Sequence, residues 1–152
     1  MRRLTALHDN IVATLSGKVG EGLALLLARF ALAGVFWRSG RSKITEGAWL
    51  EISDTTYLLF ENDYAGVPLP PELAAPLATG AEHLFPVLLV LGLATRPSAL
   101  ALLGMTMVIQ IFVFPEAWWA VHSLWAALCA GLIVRGGGMF SLDELSGKLR
   151  RQ

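Results

Sequence analysis

Four long apolar runs occupy most of the 152-residue chain. They cover about residues 22–38, 73–94, 97–114 and 117–134, and each approaches the roughly 20 apolar residues that a membrane-spanning helix needs. Only 16% of the residues are charged, whereas a soluble domain usually carries about 25%. The sequence therefore predicts one all-α membrane domain over residues 1–152, with the lipid bilayer as its main partner.

The connections between the runs predict the topology. The second, third and fourth runs are joined by only a few residues, and short links force antiparallel neighbours, so we expect an up-down four-helix bundle. The longer first connection predicts a short amphipathic helix over the outer mouth of the bundle. Apolar residues also recur every three or four positions through the first twenty residues, which predicts an N-terminal interfacial helix. The residues of the first connection that fall at helical spacing are Trp49, Ile52, Thr56, Leu59 and Phe60.

The basic residues predict the orientation. With four spans, most Lys and Arg residues fall on one side of the membrane, and the positive-inside rule places that side and both termini in the cytoplasm. The acidic first connection is then outside, where Arg38, Arg41 and Lys43 are exceptions to the rule. The residues that follow the rule are Arg2, Arg3, Lys18, Arg96, Arg135, Lys148, Arg150 and Arg151.

Four ionisable residues lie inside the runs: Arg29, Glu82, His83 and His122. An ionisable residue within a membrane is a functional candidate by default. Arg29 and Glu82 fall near the middle of the first and second runs, so we predict an ion pair between them, with His83 at its edge. Such a pair can also be a device for packing and register without chemistry.

A second polar group is expected nearer the outer surface, where Gln110 and His122 fall at similar depth. Together the two groups would form a polar path, and an apolar cleft with a few hydrogen-bonding groups suits an amphipathic ligand such as a quinone. A haem is disfavoured because His83 and His122 differ in depth by roughly two helical turns. The predicted ligand-binding residues are Arg29, Glu82, His83, Gln110 and His122.

Other cofactor and partner classes find little support. Two histidines and an engaged carboxylate are too few ligands for a transition metal, so no metal site is predicted. Cys129 is the only cysteine, which excludes a disulfide within the chain. Net charge is zero, and no basic tract suggests nucleic acid.

Three stretches of the chain resemble the DoxX family. They are Arg29–Gly40 followed by Lys43, Val67–Arg96, and Arg135–Asp143, and the resemblance covers about Leu25 to Leu145. It implies a bacterial inner-membrane protein of four helices, with the family's first-helix Arg and second-helix Glu at Arg29 and Glu82. Relatives include a subunit of a thiosulfate:quinone oxidoreductase, and others accompany redox or metal-handling genes.

The sequence and the resemblance leave two classes of function. One is a membrane subunit or accessory of a redox system, with a quinone as its candidate ligand, which acts with a protein partner or as a homo-oligomer. The other is a non-catalytic membrane adaptor or a small-molecule transporter, for which the acidic first connection would be the docking surface. A metal-handling accessory is a further alternative, supported only by His83 and His122. The residues identify no catalytic group, so whether the chain is itself an enzyme stays open at this point.

Overall fold

The regular structure of the protein is helical. A computed structural model describes residues 12–13 and 16–149, so most of the predicted N-terminal interfacial helix lies outside the described residues. Within the described part there is no β-strand, only an isolated antiparallel bridge between Ile44 and Ile52. The helices are α1 Lys18–Arg41, α2 Asp54–Asn62, α3 Pro71–Leu91, α4 Thr95–Phe112, α5 Ser123–Arg135 and α6 Leu142–Leu149.

Four of the helical segments are long and apolar enough to cross a membrane: α1, α3, α4 and the continuous segment Pro115–Arg135. The last begins with a 3-10 turn at Pro115–Ala117 and a π-helical turn at Trp118–His122 before α5. Large apolar side chains cover the outward faces, among them Leu27, Leu77, Leu124 and Val134. These faces are suited to contact with lipid tails rather than water, and the predicted four-span membrane fold is confirmed.

The ends of the spans differ from the predicted ones by a few residues. α1 extends beyond the apolar run at both ends, whereas α3 stops at Leu91, three residues before the predicted end. The cause is Gly92, whose φ of 66° is left-handed and terminates the helix. The turn to α4 then follows at once, and α4 begins at Thr95.

The spans pack as a closed ring in which α1 contacts α3, α3 contacts α4, α4 contacts α5, and α5 contacts α1. α1 and α3 are antiparallel, since Arg29 lies beside Leu89 whereas Ser39 lies beside Glu82. A cluster of buried apolar side chains lies in the interior where the four meet. Its buried side chains include Leu32, Phe36, Leu89, Leu102, Cys129 and Leu132.

The long connection between α1 and α3 contains the predicted short helix, but that helix starts later than the hydrophobic spacing indicated. Trp49 is 90% exposed and lies in a turn closed by the Ile44–Ile52 bridge. Ser53 has the extended backbone of an N-cap, and α2 follows from Asp54. Thr56 and Phe60 form the buried face of α2, which packs on α3.

The two ends of the bundle differ in character. The end with the start of α1, the α3–α4 turn and α6 contains Lys18, Arg96 and Arg135, and we call it the basic end. The opposite end contains the connection of residues 42–70, and we call it the long-loop end.

Candidate functional site

A buried ion pair lies at the long-loop end between Lys43 and Glu82. Lys43 Nζ is 2.7 Å from Oε2 and 3.0 Å from Oε1 of Glu82, and the two side chains are only 5% and 2% exposed. Ser39 completes the group: its hydroxyl donates to Glu82 Oε1 at 3.0 Å and accepts from Lys43 Nζ at 2.9 Å. The ammonium and the carboxylate therefore satisfy each other, as buried charges must.

The backbone around Lys43 is fixed by the chain that follows it. Lys43 lies two residues beyond the end of α1, and its carbonyl oxygen accepts bonds from Ser53 N–H at 3.1 Å and from the Thr56 hydroxyl at 2.8 Å. Both partners belong to the start of α2. The short helix of the long connection thus holds the lysine over α3.

The close approach of α1 to α3 at this level depends on Gly40. A Cβ atom at this position would lie 2.8 Å from His83 Cε1 and 3.0 Å from Glu82 Cβ. Small residues let membrane helices pack closely, and here the glycine brings Ser39 within hydrogen-bond distance of Glu82.

An apolar pocket of about 440 Å³ adjoins the ion pair. α3, α4 and the long connection form its walls, and Lys43 and Glu82 are its charged lining residues. We call it the Lys43–Glu82 pocket. Its size and its few polar groups in apolar walls suit a small amphipathic molecule. The apolar lining includes Phe60, Val67, Leu69, Leu77, Val108 and Ile109.

Tyr64 adds a hydroxyl to the wall of this pocket. Its ring stacks on Phe60 with 4.5 Å between ring centroids. Burial, together with the negative charges of Glu82 and Asp63, raises the pKa of Tyr64 to about 12. The phenol is therefore protonated at neutral pH and available as a hydrogen-bond donor.

The predicted Arg29–Glu82 ion pair is not formed. Arg29 Nη2 donates to the carbonyl oxygen of Phe140 at 2.7 Å, and Nη1 donates to that of Leu89 at 3.2 Å. Leu89 lies seven residues beyond Glu82, which is roughly 10 Å along a helix. The pair was predicted from equal depth within two apolar runs. The helices α1 and α3 are instead offset along their axes, so that Ser39 rather than Arg29 lies beside Glu82.

Arg29 instead binds the carboxyl end of α3. The last carbonyl groups of a helix have no partner within it, and a cation at this end also interacts favourably with the helix dipole. The guanidinium is fully buried, and through Phe140 it links α3 to the segment that follows α5. Arg29 therefore binds backbone groups at the basic end, and a ligand-binding role for it stays a prediction.

His83 neighbours the ion pair in sequence but does not line the pocket. Its Nδ1 lies 2.7 Å from the carbonyl oxygen of Thr79; because a carbonyl only accepts, Nδ1 carries the proton. Nε2 is buried and has no partner among the described residues. The ring packs edge-on against Trp37, with 5.1 Å between centroids.

Gln110 and His122 lie together, as their predicted depths indicated. Gln110 Nε2 donates to the carbonyl oxygen of Pro115 at 2.7 Å, which turns Oε1 toward His122 Nδ1, also at 2.7 Å. His122 is buried. This pair connects α4 to the start of the fourth span and does not line the pocket, so a ligand-binding role for it stays a prediction.

Of the five predicted ligand-binding residues, Glu82 lies in the pocket and the other four lie elsewhere. Within residues 12–13 and 16–149, no cluster of three or more His, Cys, Asp or Glu side chains could hold a metal ion. Lys43, Ser39 and Tyr64 were not among the predicted residues. Lys43 did give a signal, since it was one of three exceptions to the predicted orientation, and the structure buries it against a carboxylate.

These features define the class of the protein: a four-span α-helical membrane protein with a buried ion pair beside an apolar pocket. The sequence profile of the DoxX family matches residues 24–123. The chain belongs to the DoxX family.

A relative with no described activity supports this assignment. An uncharacterized protein of Haemophilus influenzae is 31% identical to this chain over 147 residues, which covers 86% of the chain and 88% of the relative. No solved structure matches the chain.

Proposed function

We propose that this protein is a membrane subunit or accessory of a redox system and that it binds a quinone in the Lys43–Glu82 pocket. The observation that carries the proposal is the pairing of apolar walls with one buried ammonium–carboxylate group. A quinone has an apolar ring and tail and two carbonyl oxygens that accept hydrogen bonds. In this proposal the Tyr64 hydroxyl donates to one quinone oxygen, and the ring lies among Phe60, Leu77 and Val108. Lys43, whose N–H groups are engaged by Glu82 and Ser39, supplies positive charge beside the ring.

The same groups would serve proton exchange. Reduction of a quinone to a quinol takes two electrons and two protons. In this proposal the electrons come from a partner redox protein, the protons come from water at the long-loop end, and Lys43 and Glu82 relay them to the quinone oxygens. A charged pair in an apolar pocket is suited to such a relay, because ionisable groups within membranes mark proton pathways.

A pocket-filling substitution tests the proposal without disturbing the ion pair. Gly104 lines the pocket, and a Cβ atom there meets nothing within 4 Å, so Gly104→Leu should fill the space and leave the fold intact. Gly131→Leu is the matched control, because Gly131 also faces open space but does not line the pocket.

The protein is purified alone, and bound quinone is extracted and quantified by mass spectrometry, followed by titration with a short-tailed quinone. We expect Gly104→Leu to weaken binding by at least about tenfold, or about 1.4 kcal/mol, whereas Gly131→Leu should bind as wild type. A protein that contains no quinone and does not respond to added quinone would contradict the proposal, as would equal effects of the two substitutions.

We also propose that the protein lies in the bacterial inner membrane with both termini in the cytoplasm. Lys18, Arg96 and Arg135 at the basic end support this orientation. Labelling with a membrane-impermeant maleimide tests it in cells. Glu61→Cys at the long-loop end should react from outside and Lys148→Cys should not, and the reverse pattern would invert the topology.

A second candidate function, a non-catalytic adaptor, is favoured by one observation. Trp49 is 90% and Leu50 65% exposed at the tip of the long connection, and two adjacent exposed apolar side chains suit a contact with a partner protein. Replacing both by serine should abolish co-purification of such a partner while quinone binding persists. If co-purification is unchanged, this surface is not the docking site.

A further inference from the structure

The basic end contains a second cavity, of about 510 Å³, on the side of the membrane opposite to the Lys43–Glu82 pocket. The first turn of α1, the start of α4 and the segment of residues 135–144 form its walls. Unlike the first pocket, it includes several charged and polar residues in its lining. Its basic lining residues are Lys18, Arg96 and Arg135.

Three acidic residues, Glu21, Asp143 and Glu144, also line the cavity, and each has a partner. Glu144 Oε1 lies 3.6 Å from Lys148 Nζ. Asp143 accepts from the backbone N–H groups of Ala94 and Thr95, both at 2.8 Å, and Glu21 accepts from Arg135 Nε at 2.6 Å. Arg96 donates to the carbonyl oxygen of Val134 at 3.2 Å and forms no ion pair with a described residue. Its guanidinium therefore retains donors and an unmatched charge for an anion in the cavity.

A buried hydroxyl among the lining residues also lacks a partner. Thr95 is fully buried and lines the cavity, yet its Oγ1 has no hydrogen-bond partner among the described residues. Gly137 lets the loop after α5 approach it, since a Cβ atom on Gly137 would lie 2.7 Å from Thr95 Oγ1. An orphaned buried hydroxyl is costly and indicates a missing acceptor.

Exposed apolar side chains surround this end and place the cavity at the boundary between lipid tails and headgroups. Helix α6 presents leucines on one face and is polar on the other, as interfacial helices do. The exposed apolar side chains of this region are Met139, Phe140, Leu142, Leu145 and Leu149.

We propose that this cavity binds the phosphate of an anionic phospholipid headgroup. Arg96 and Lys18 attract the charge, the Thr95 hydroxyl donates to a phosphate oxygen, and the acyl chains lie against the apolar side chains of α6. Basic pockets between transmembrane helices at the cytoplasmic surface are suited to such headgroups. The site is independent of the quinone proposal, because it shares no residue with the Lys43–Glu82 pocket.

The test is lipid binding by the purified full-length protein, measured by native mass spectrometry with phosphatidylglycerol, phosphatidylcholine or inorganic phosphate. Arg96→Gln should weaken phosphatidylglycerol binding about fivefold, since one basic residue near an anionic headgroup contributes about 1 kcal/mol. Thr95→Val, which keeps the side-chain shape, should also weaken it. Arg38→Gln is the matched control: it removes the same charge from an exposed position at the long-loop end, and it should leave binding unchanged.

Three results would overturn the proposal. Equal losses in Arg96→Gln and Arg38→Gln would show diffuse attraction to surface charge, and equal binding of phosphatidylcholine would remove the preference for an anionic headgroup. Displacement of the lipid by millimolar inorganic phosphate would assign the site to a free anion rather than a lipid. Retention of phosphatidylglycerol by wild type and control, with loss in the two cavity variants, would support it.

Discussion

Replacing Lys43 by methionine should destabilise the protein far more than any other single loss of a surface or loop cation. At 2.7 Å the attraction between Lys43 and Glu82 is about 6 kcal/mol for an effective dielectric constant of about 20. Most of this offsets the cost of taking both charges out of water. Lys43→Met keeps that cost for Glu82 and removes the attraction, so we expect a loss of about 3–5 kcal/mol in the free energy of unfolding.

The double variant Lys43→Met/Glu82→Leu distinguishes the attraction between the two charges from the cost of burying each one. Apolar side chains of similar volume often replace a buried ion pair with little loss, so the double variant should be more stable than either single one. Arg41→Met is the matched control two residues away, because Arg41 is exposed and surface substitutions cost about 0.5 kcal/mol or less. For a chain of this size, 1 kcal/mol corresponds to about 2–4 °C in Tm, so Lys43→Met should lower Tm by roughly 10 °C.

The chain contains its own probe for this measurement. Cys129 is the only cysteine and is fully buried in the core, so a thiol-reactive fluorophore reports unfolding in detergent. Equal Tm values for Lys43→Met and Arg41→Met would refute the reasoning, as would a double variant whose loss equals the sum of the two single losses.

Three further predictions concern the neighbouring residues. Arg29→Gln leaves the carbonyl groups of Leu89 and Phe140 without their donor. The free energy of unfolding, measured in the same thiol assay, should therefore fall by about 3 kcal/mol. Unchanged stability would contradict the role of Arg29 at the end of α3. Gly40→Ala should lower Tm because its Cβ would collide with His83. Gly34→Ala, whose Cβ meets nothing within 4 Å, should raise Tm, because alanine gains up to about 1 kcal/mol of helix propensity over glycine. Equal shifts in the two variants would show that the close contact is unimportant. In Tyr57→Phe, which leaves Tyr64 as the only tyrosine, tyrosinate absorbance should appear with a pKa of about 12 rather than the usual 10.0. Because the pKa of Tyr64 is higher in the folded than in the unfolded protein, the free energy of unfolding should fall as the pH rises from 10.0 to about 12. The further change Tyr64→Phe should remove this fall. Absorbance that rises at the usual pKa would refute the burial of the phenol.

Hydrophobic patterning was enough to predict the four spans, because a bilayer imposes a length and a composition on every crossing helix. It could not predict the ends of the helices, which depend on local features such as the left-handed backbone at Gly92. The helix of the long connection was predicted with its start misplaced. Its start depends on the N-cap at Ser53 and on the bridge between Ile44 and Ile52.

The polar contacts were predicted less well, because side-chain partners depend on the register between helices. Gln110 and His122 were brought together correctly, since a short link fixes the relative position of their two spans. Arg29 and Glu82 lie on spans joined by the long connection, and no sequence pattern fixes how far α1 and α3 slide against each other. Lys43 lies two residues beyond α1, outside the apolar runs from which the candidate residues were taken.

The register of α1 against α3 links the two charged groups of this helix pair. Arg29 binds the carboxyl end of α3, and Ser39 and Lys43 bind Glu82 farther along the same helix. A slide of one residue moves the helices by about 1.5 Å, enough to break hydrogen bonds of this length. Arg29 therefore positions the ion pair without touching the Lys43–Glu82 pocket. We therefore expect Arg29→Gln to weaken quinone binding although Arg29 does not line the Lys43–Glu82 pocket, and unchanged binding would contradict this coupling.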